Sequence, residues 1–298
     1  MARASWFLAG VAVLGASLAS CGALAQTPPA PADPAHEFRI GRLEAVSLWD
    51  GGFIFPNNGR IIGVDEGAEK VRAVLEAAGA PGDKLELHIN VLLVKTPGRV
   101  WLFDTGNGPK SAGKLMSSLQ AAGVAPAEVT DIAISHSHGD HVNGLLDASG
   151  APAFPKARVH LTAAEWSHMQ AQASLAAMVK AVAPQVSPFQ PGARLAPEVQ
   201  AVEVRGHTPG HSAFLVGSGQ ARVLIIGDTA HHHIVSVRQP EFTIAFDADA
   251  PTAEASRRAL LRRAVDEKLT VFAPHFPYPG LGTVRAEGDG FAWLPRGK

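Results

Sequence analysis

Residues 135–144 read SHSHGDHVNG and set four metal-ligand side chains, His136, His138, Asp140 and His141, within six positions. The residues just before them, Asp131-Ile132-Ala133-Ile134-Ser135, are apolar at the centre and bounded by turn formers, the pattern of a short buried strand. The chain leaving the C-terminal end of such a strand is where α/β sheets build their sites. Side chains on a strand alternate between faces, so His136 and His138 point the same way. Neutral imidazole is the commonest protein metal ligand, and carboxylates complete hard or borderline sites. A polar surface loop accounts for isolated His pairs, but not for HxHxDH directly after an apolar strand. This stretch calls for an α/β fold that holds a metal at a strand exit.

The remaining sequence has the room for it. With 298 residues, 46% of them hydrophobic, the chain can build one large α/β domain with a substantial core. A formal net charge of −1 with no Lys/Arg cluster argues against a nucleic-acid partner.

The N-terminus reads as a targeting segment. Arg3 precedes the apolar run WFLAGVAVLGASLAS, which is short for a membrane span. Ala23-Leu24-Ala25 has the small-x-small form of a general signal-peptidase site, making 1–25 a signal peptide. Leu18-Ala19-Ser20-Cys21 resembles a bacterial lipobox, which instead leaves Cys21 as a lipid anchor. Both readings export the protein, to the periplasm or to an envelope membrane of a bacterium. Cys21 is the only cysteine, so no disulfide is expected. Residues 26–36 read as an extended Pro/Ala-rich leader and 37–298 as the folded domain.

Within that domain, residues 43–48 read as a first strand closed by a turn at Asp50-Gly51-Gly52, with the apolar Phe53-Ile54-Phe55 behind it. Residues 66–78 carry Val71, Val74 and Leu75 at helical spacing and stop at Gly79. Residues 87–95 and 99–103 are strands joined by Thr96-Pro97-Gly98. Asp104 follows, either orienting a metal ligand from behind or closing an Asx-turn. Residues 110–122 and 171–183 read as helices, and Thr162 caps another that holds Glu165 and Trp166. Residues 184–197 read as a Pro/Gly-rich connection, and 199–204, 222–226 and 271–273 as strands. Asp249 caps a long amphipathic helix. Leu260, Leu261, Ala264 and Val265 form its core face, and Arg257, Arg258, Arg262 and Arg263 a solvated one.

Four strand exits therefore carry metal-binding residue types: 136–141, His207, Asp228 and His275. Seven ligands make two sites if Asp228 bridges them. One ion takes His136, His138, His207 and Asp228; the other takes Asp140, His141, His275 and Asp228. A shared hydroxide completes both shells, and Asp140 orients it or accepts its proton. Two divalent ions roughly 3.5–4 Å apart polarise a substrate oxygen and lower the pKa of bridging water. Zinc is expected first, and manganese, iron or cobalt suit the same all-N/O ligand set. Neither Ser nor Cys occurs in a nucleophile-elbow context.

The motifs HSHGDH, GHTPGH, GDTAH and APHFP together resemble the metallo-β-lactamase superfamily. The resemblance implies a four-layer αβ/βα sandwich with its binuclear site on the upper edge. The stretches FDADAPTAEASRRALLRR and HFPYPGLGTVRAEGDGFAWLP are similar to the methyl parathion hydrolase group of exported enzymes, and the likeness runs from about His36 to the end. It implies the same seven ligands, Asp228 as the bridge, and a homodimer. His211 matches a motif position without being implied as a ligand; it supports its loop by hydrogen bonding. His231 matches the family behind the bridging Asp, as a pocket or supporting residue, while His232 and His233 have no counterpart. Trp166 lies where relatives place an aromatic pocket wall.

The expected function is a binuclear metal-dependent hydrolase of small neutral esters: aryl esters, lactones and phosphotriesters of the methyl-parathion type. Candidates for the wall are Phe53, Phe55, Trp166 and Phe276, with no cationic clamp for an anionic phosphate. Two alternatives share the scaffold. True β-lactamases lack the bridging Asp, so Asp228 counts against them. Mono-iron oxidoreductases of the persulfide dioxygenase type keep the first motif, but the complete second ligand set, His275 included, favours hydrolysis.

Overall fold

The computed structural model describes residues 26–296. The signal segment and the lipobox with Cys21 lie outside the described residues. In the first half of the chain, Leu-, Val- and aromatic-rich runs form β1 (Ala35–Ile40), β2 (Leu43–Pro56), β3 (Lys84–Thr96), β4 (Arg99–Phe103), β5 (Asp131–Ala133), β6 (Arg158–Thr162) and β7 (Val186–Phe189). These seven strands pair in chain order, antiparallel from β1 to β4 and parallel from β4 to β7. The second half forms β8 (Arg194–Ala196), β9 (Val199–Glu203), β10 (Ser212–Ser218), β11 (Ala221–Ile225), β12 (Thr270–Phe272), β13 (Leu281–Glu287) and β14 (Gly290–Pro295). They pair in reverse order, β14 to β8, with only β11 and β12 parallel.

Parallel neighbours need long crossovers, and helices fill most of them. The helices are α1 (Ala68–Ala77), α2 (Leu115–Ala121), α3 (Gly139–Val142), α4 (Ala163–Ala171), α5 (Ala176–Val182), α6 (Val235–Arg238) and α7 (Ala250–Asp266). Thr162 caps α4 by accepting from Glu165 N at 3.0 Å, and Asp249 caps α7 by accepting from Thr252 N at 3.3 Å.

Strand periodicity sorts the core into layers. On β3, Val91 and Leu93 join α2 residues Leu115 and Leu119 in an outer core, while Leu92 and Val94 face the second sheet. On β11, Val223 and Ile225 meet that inner core, while Leu224 packs outward on Leu260, Leu261 and Ala264 of α7. Strands buried on both faces read as unbroken apolar runs, which is why these were visible in the sequence. The layers stack helices, sheet, sheet, helices: the four-layer αβ/βα sandwich.

Several local readings change. Asp50 is not in a turn. β2 runs through it with a register shift between Trp49 and Gly51, and the buried carboxylate accepts from Asn107 N and Leu115 N, each at 2.7 Å. Such a bulge re-aims a strand without ending it. The connection 184–197 contains β7 and β8, each at one edge of its sheet, where Pro188 sacrifices no ladder hydrogen bond inside the sheet. β1, β10, β13 and β14 were not expected. β1 starts inside the expected leader, whose earlier part lies along β2: Ile54 N donates to Gln26 O at 2.6 Å and Trp49 N to Pro34 O at 2.9 Å.

Candidate metal centre

Both sheets deliver their ligands at C-terminal strand ends. The first motif leaves β5, with His138 just ahead of α3 and Asp140 and His141 inside it. His207 follows β9, Asp228 follows β11, and His275 follows β12. In one group, His207 Nε2 lies 3.1 Å from His136 Nε2, 3.0 Å from His138 Nδ1 and 3.4 Å from Asp228 Oδ2. In the other, His141 Nε2 and His275 Nε2 are 3.3 Å apart, and each stands 3.6 Å from Asp140 Oδ2. Asp228 Oδ1 lies 3.1 Å from both of those imidazole nitrogens. Asp228 Oδ2 also lies 3.1 Å from His275 Nε2, so the carboxylate stands between the two groups, where a bridging carboxylate would.

The donor set fits divalent ions. Four ligands about 2.0–2.1 Å from a tetrahedral ion stand roughly 3.3 Å from one another, and the spacings above cluster around that value. The far ring nitrogens are committed as well. His207 Nδ1–H donates to Asp247 Oδ1 at 2.8 Å, His141 Nδ1–H to Asp104 Oδ2 at 2.9 Å, and His275 Nδ1–H to His88 O at 2.8 Å. His136 Nδ1–H meets Ser135 Oγ at 3.0 Å, and that hydroxyl donates to Asp104 Oδ2 at 2.8 Å. With those tautomers fixed, the Nε2 lone pairs converge on each other and on a buried carboxylate, an arrangement that a cation relieves. Zinc, manganese, iron and cobalt all suit this N/O set.

Without a cation, protons take over part of that role. Burial pushes His207 down, but hydrogen bonds to Asp228 and Asp247 outweigh it and lift it to about 9. His141 and His275 are also raised, their burial outweighed by charges led by Asp228. Burial, reinforced by the His207 charge, holds His138 and His211 near about 3, and His136 is pushed well below its ordinary value. An unfolded His titrates near about 6.5. Below that pH the unfolded chain gains protons that His136, His138 and His211 refuse in the fold, so stability falls. Above it, the support from protonated His207, His141 and His275 is lost as pH climbs toward 9. The chelated protein should melt highest near pH 6.5 and lower on both sides. A melting temperature still rising from pH 7 to 9 in excess chelator would refute the proton-holding role of these three rings.

The sequence profile of the metallo-beta-lactamase superfamily matches residues 86–275, the span that contains all seven candidate ligand residues. The chain belongs to the metallo-beta-lactamase superfamily. Its fold is that of the family, two mixed sheets flanked by helices with a His/Asp cluster at one edge. Among solved structures, AidC, a dizinc quorum-quenching lactonase in complex with its product, gives a TM-score of 0.84 at 26% identity, over 89% of this chain and 99% of that one. The hydrolase AbOPH of the beta lactamase superfamily gives 0.81 at 24% identity over 90% and 99%, a likeness of fold. In sequence, 64 residues are 45% identical to metallo-beta-lactamase domain-containing protein 1 of Xenopus laevis. That match covers 22% of this chain and 27% of the frog protein, so the chain spans about a quarter of that relative's length.

The other expected site residues fall out unequally. Asp104 serves as a hydrogen-bond partner of His141 and also accepts from Ser135 N at 2.7 Å, from a left-handed backbone with φ 63°. His211 Nε2 accepts from Asp228 N at 3.1 Å. His231 Nε2 approaches Asp228 Oδ2 at 3.1 Å, beside Phe246, whose ring centre is 5.8 Å away. Phe53 and Phe55 are half-buried neighbours on β2, with ring centres 5.7 Å apart, and Trp166 packs half-buried on the outer core of the first sheet. Phe276 does not reach a pocket wall. It is 0% exposed, edge-on to Trp293 in the core beneath α7. Arg257 is not on a solvated face: it is fully buried and bonded to Asp247 at 2.8 Å. Sequence reasoning missed Asp247, Phe246 and Glu165. The buried Glu165 carboxylate accepts from Ser137 N and Oγ, Thr208 Oγ1 and Gly210 N at 2.6–3.0 Å.

Proposed function

We propose that this chain is a binuclear metal-dependent hydrolase of neutral esters, lactones foremost. The observation that carries the reading is Asp228, whose carboxylate lies between the two candidate ligand groups, 3.1–3.6 Å from His136, His141, His207 and His275. The likeness to a dizinc lactonase over 89% of the chain supports it. Two divalent ions bound there supply a strong nucleophile from water at neutral pH and polarise the scissile carbonyl or phosphoryl oxygen.

The chain's own residues do the rest. Asp140 is the most open of the ligand carboxylates, with its side chain 17% exposed against 4% for Asp228, so substrate approaches on its side. Asp140 Oδ2 faces His141 and His275, which leaves Oδ1 to accept the proton of the attacking water. Phe246, beside His231, and Phe55, which packs on the same apolar cluster as Phe246, offer apolar surface near the site, and no cationic clamp accompanies them among the described residues, so neutral substrates are favoured over phosphomonoesters. Phosphotriesters of the methyl-parathion type belong to the same neutral class and are read as secondary substrates. A panel on the metal-loaded protein tests this, comparing lactones, aryl esters, phosphotriesters, phosphomonoesters and β-lactams. Lactone and aryl-ester turnover that disappears with chelator and returns with metal is expected. Turnover confined to β-lactams or anionic monoesters would overturn the reading.

A further inference from the structure

The two ligand groups are oriented by unlike devices. His275 is aimed by a backbone carbonyl, and His141 by Asp104. His207 is aimed by a buried ionic chain: its Nδ1–H donates to Asp247 Oδ1, and Asp247 Oδ2 accepts from Arg257 Nη2, both at 2.8 Å. The Asp247 and Arg257 side chains are each 0% exposed. Arg257 also donates through Nε to Thr229 O at 2.8 Å, and through Nη1 to Pro240 O at 2.7 Å and Phe242 O at 3.1 Å. It occupies a core position of α7 between Ala253 and Leu260, where an apolar side chain would ordinarily pack. A buried guanidinium is costly unless its fork is fully met, and here it is met by one carboxylate and three carbonyls.

We propose that Arg257 is the positioning residue for the His207 half of the metal centre, acting through Asp247; this rests on the metal-binding reading above. Without the guanidinium, Asp247 is a lone buried carboxylate that must take up a proton or turn toward other donors. His207 then loses the acceptor that keeps its proton on Nδ1 and its Nε2 lone pair inward. Lysine cannot stand in, because one ammonium does not reach four acceptors arranged in a plane. The turn that carries Asp228 keeps two ties of its own, Asp228 N to His211 Nε2 and Thr229 Oγ1 to Ile226 O, besides the bond from Arg257 to Thr229 O. The group of Asp140, His141 and His275 should keep its aim.

The test is calorimetric titration of zinc into the chelator-stripped protein, as wild type, Arg257→Lys, Asp247→Asn and the double variant. Wild type is expected to show two binding steps. Each single variant should weaken one step by about ten- to a hundredfold and leave the other within about twofold. The double variant should bind no worse than Asp247→Asn, because Arg257 acts through that residue. Equal weakening of both steps, or effects that multiply in the double variant, would mean general packing and overturn the proposal. If Arg257→Lys fails to fold, unchanged zinc binding by Asp247→Asn still overturns it. Absence of any zinc uptake by wild type would overturn the metal centre itself, and this role with it.

Discussion

Asp228→Ala is expected to empty both halves of the centre and to cut ester hydrolysis by more than about a thousandfold, well beyond the ten- to hundredfold cost of disturbing a group that only orients a ligand. Among the described residues, Asp228 is the one whose oxygens reach both groups, at 3.1–3.6 Å from His136, His141, His207 and His275. Without it, His136, His138 and His207 converge with no carboxylate among them, and one negative charge that would balance the ions is gone. Asp228→Asn keeps the shape but turns an amide donor toward one group, so it should retain the fold and lose most of the metal. Elemental analysis of the purified variants, alongside their rates on a lactone, decides the matter. Two ions per chain and near-normal turnover in Asp228→Ala would end the bridging assignment.

Glu165→Ala should be the most destabilising single change near the site that removes no ligand. Its carboxylate joins the loop carrying His136 and His138, through Ser137, to the loop carrying His207, through Thr208 and Gly210. Two of the four donors are hydroxyls that can turn to other acceptors; the amides of Ser137 and Gly210 cannot. Each buried donor left unmet costs about 1–3 kcal/mol, so a loss of about 2–6 kcal/mol follows. For a fold of this size that lowers the melting temperature on the order of ten degrees. Glu165→Gln keeps one acceptor and should fall between. Thermal melts of the chelated variants read the effect free of metal. A shift under about two degrees in Glu165→Ala, well below the size scaling, would show that the two loops hold their positions without it.

The candidate ligands stood out because each sits just past an apolar, strand-like run, and because HxHxDH is a dense motif. The residues behind them did not. Glu165 meets partners 28 to 45 positions away, and nothing local to its helix announces them. Arg257 is a different case. Ala253, Arg257, Leu260, Leu261 and Ala264 recur at helical spacing, so periodicity already put Arg257 on the buried face of α7. Its charge was read ahead of its position. Phe276 follows a ligand directly, yet it turns into the core, because residues next to each other along a chain need not share an environment. The short edge strand β7 was hidden by the proline that an edge strand tolerates, and β8 by its length of three residues.

Four candidate ligands leave the first sheet after β5, and three leave the second after β9, β11 and β12. Ions held by both sets are therefore ligands of the assembled molecule and not of either sheet alone. By mass action, every tenfold excess of free ion over its dissociation constant adds about 1.4 kcal/mol to the folded state. With such ions bound, the stability of this protein would be a property of its surroundings as much as of its chain. The same sequence placed in a metal-poor compartment would fold with a weaker clasp between its two halves.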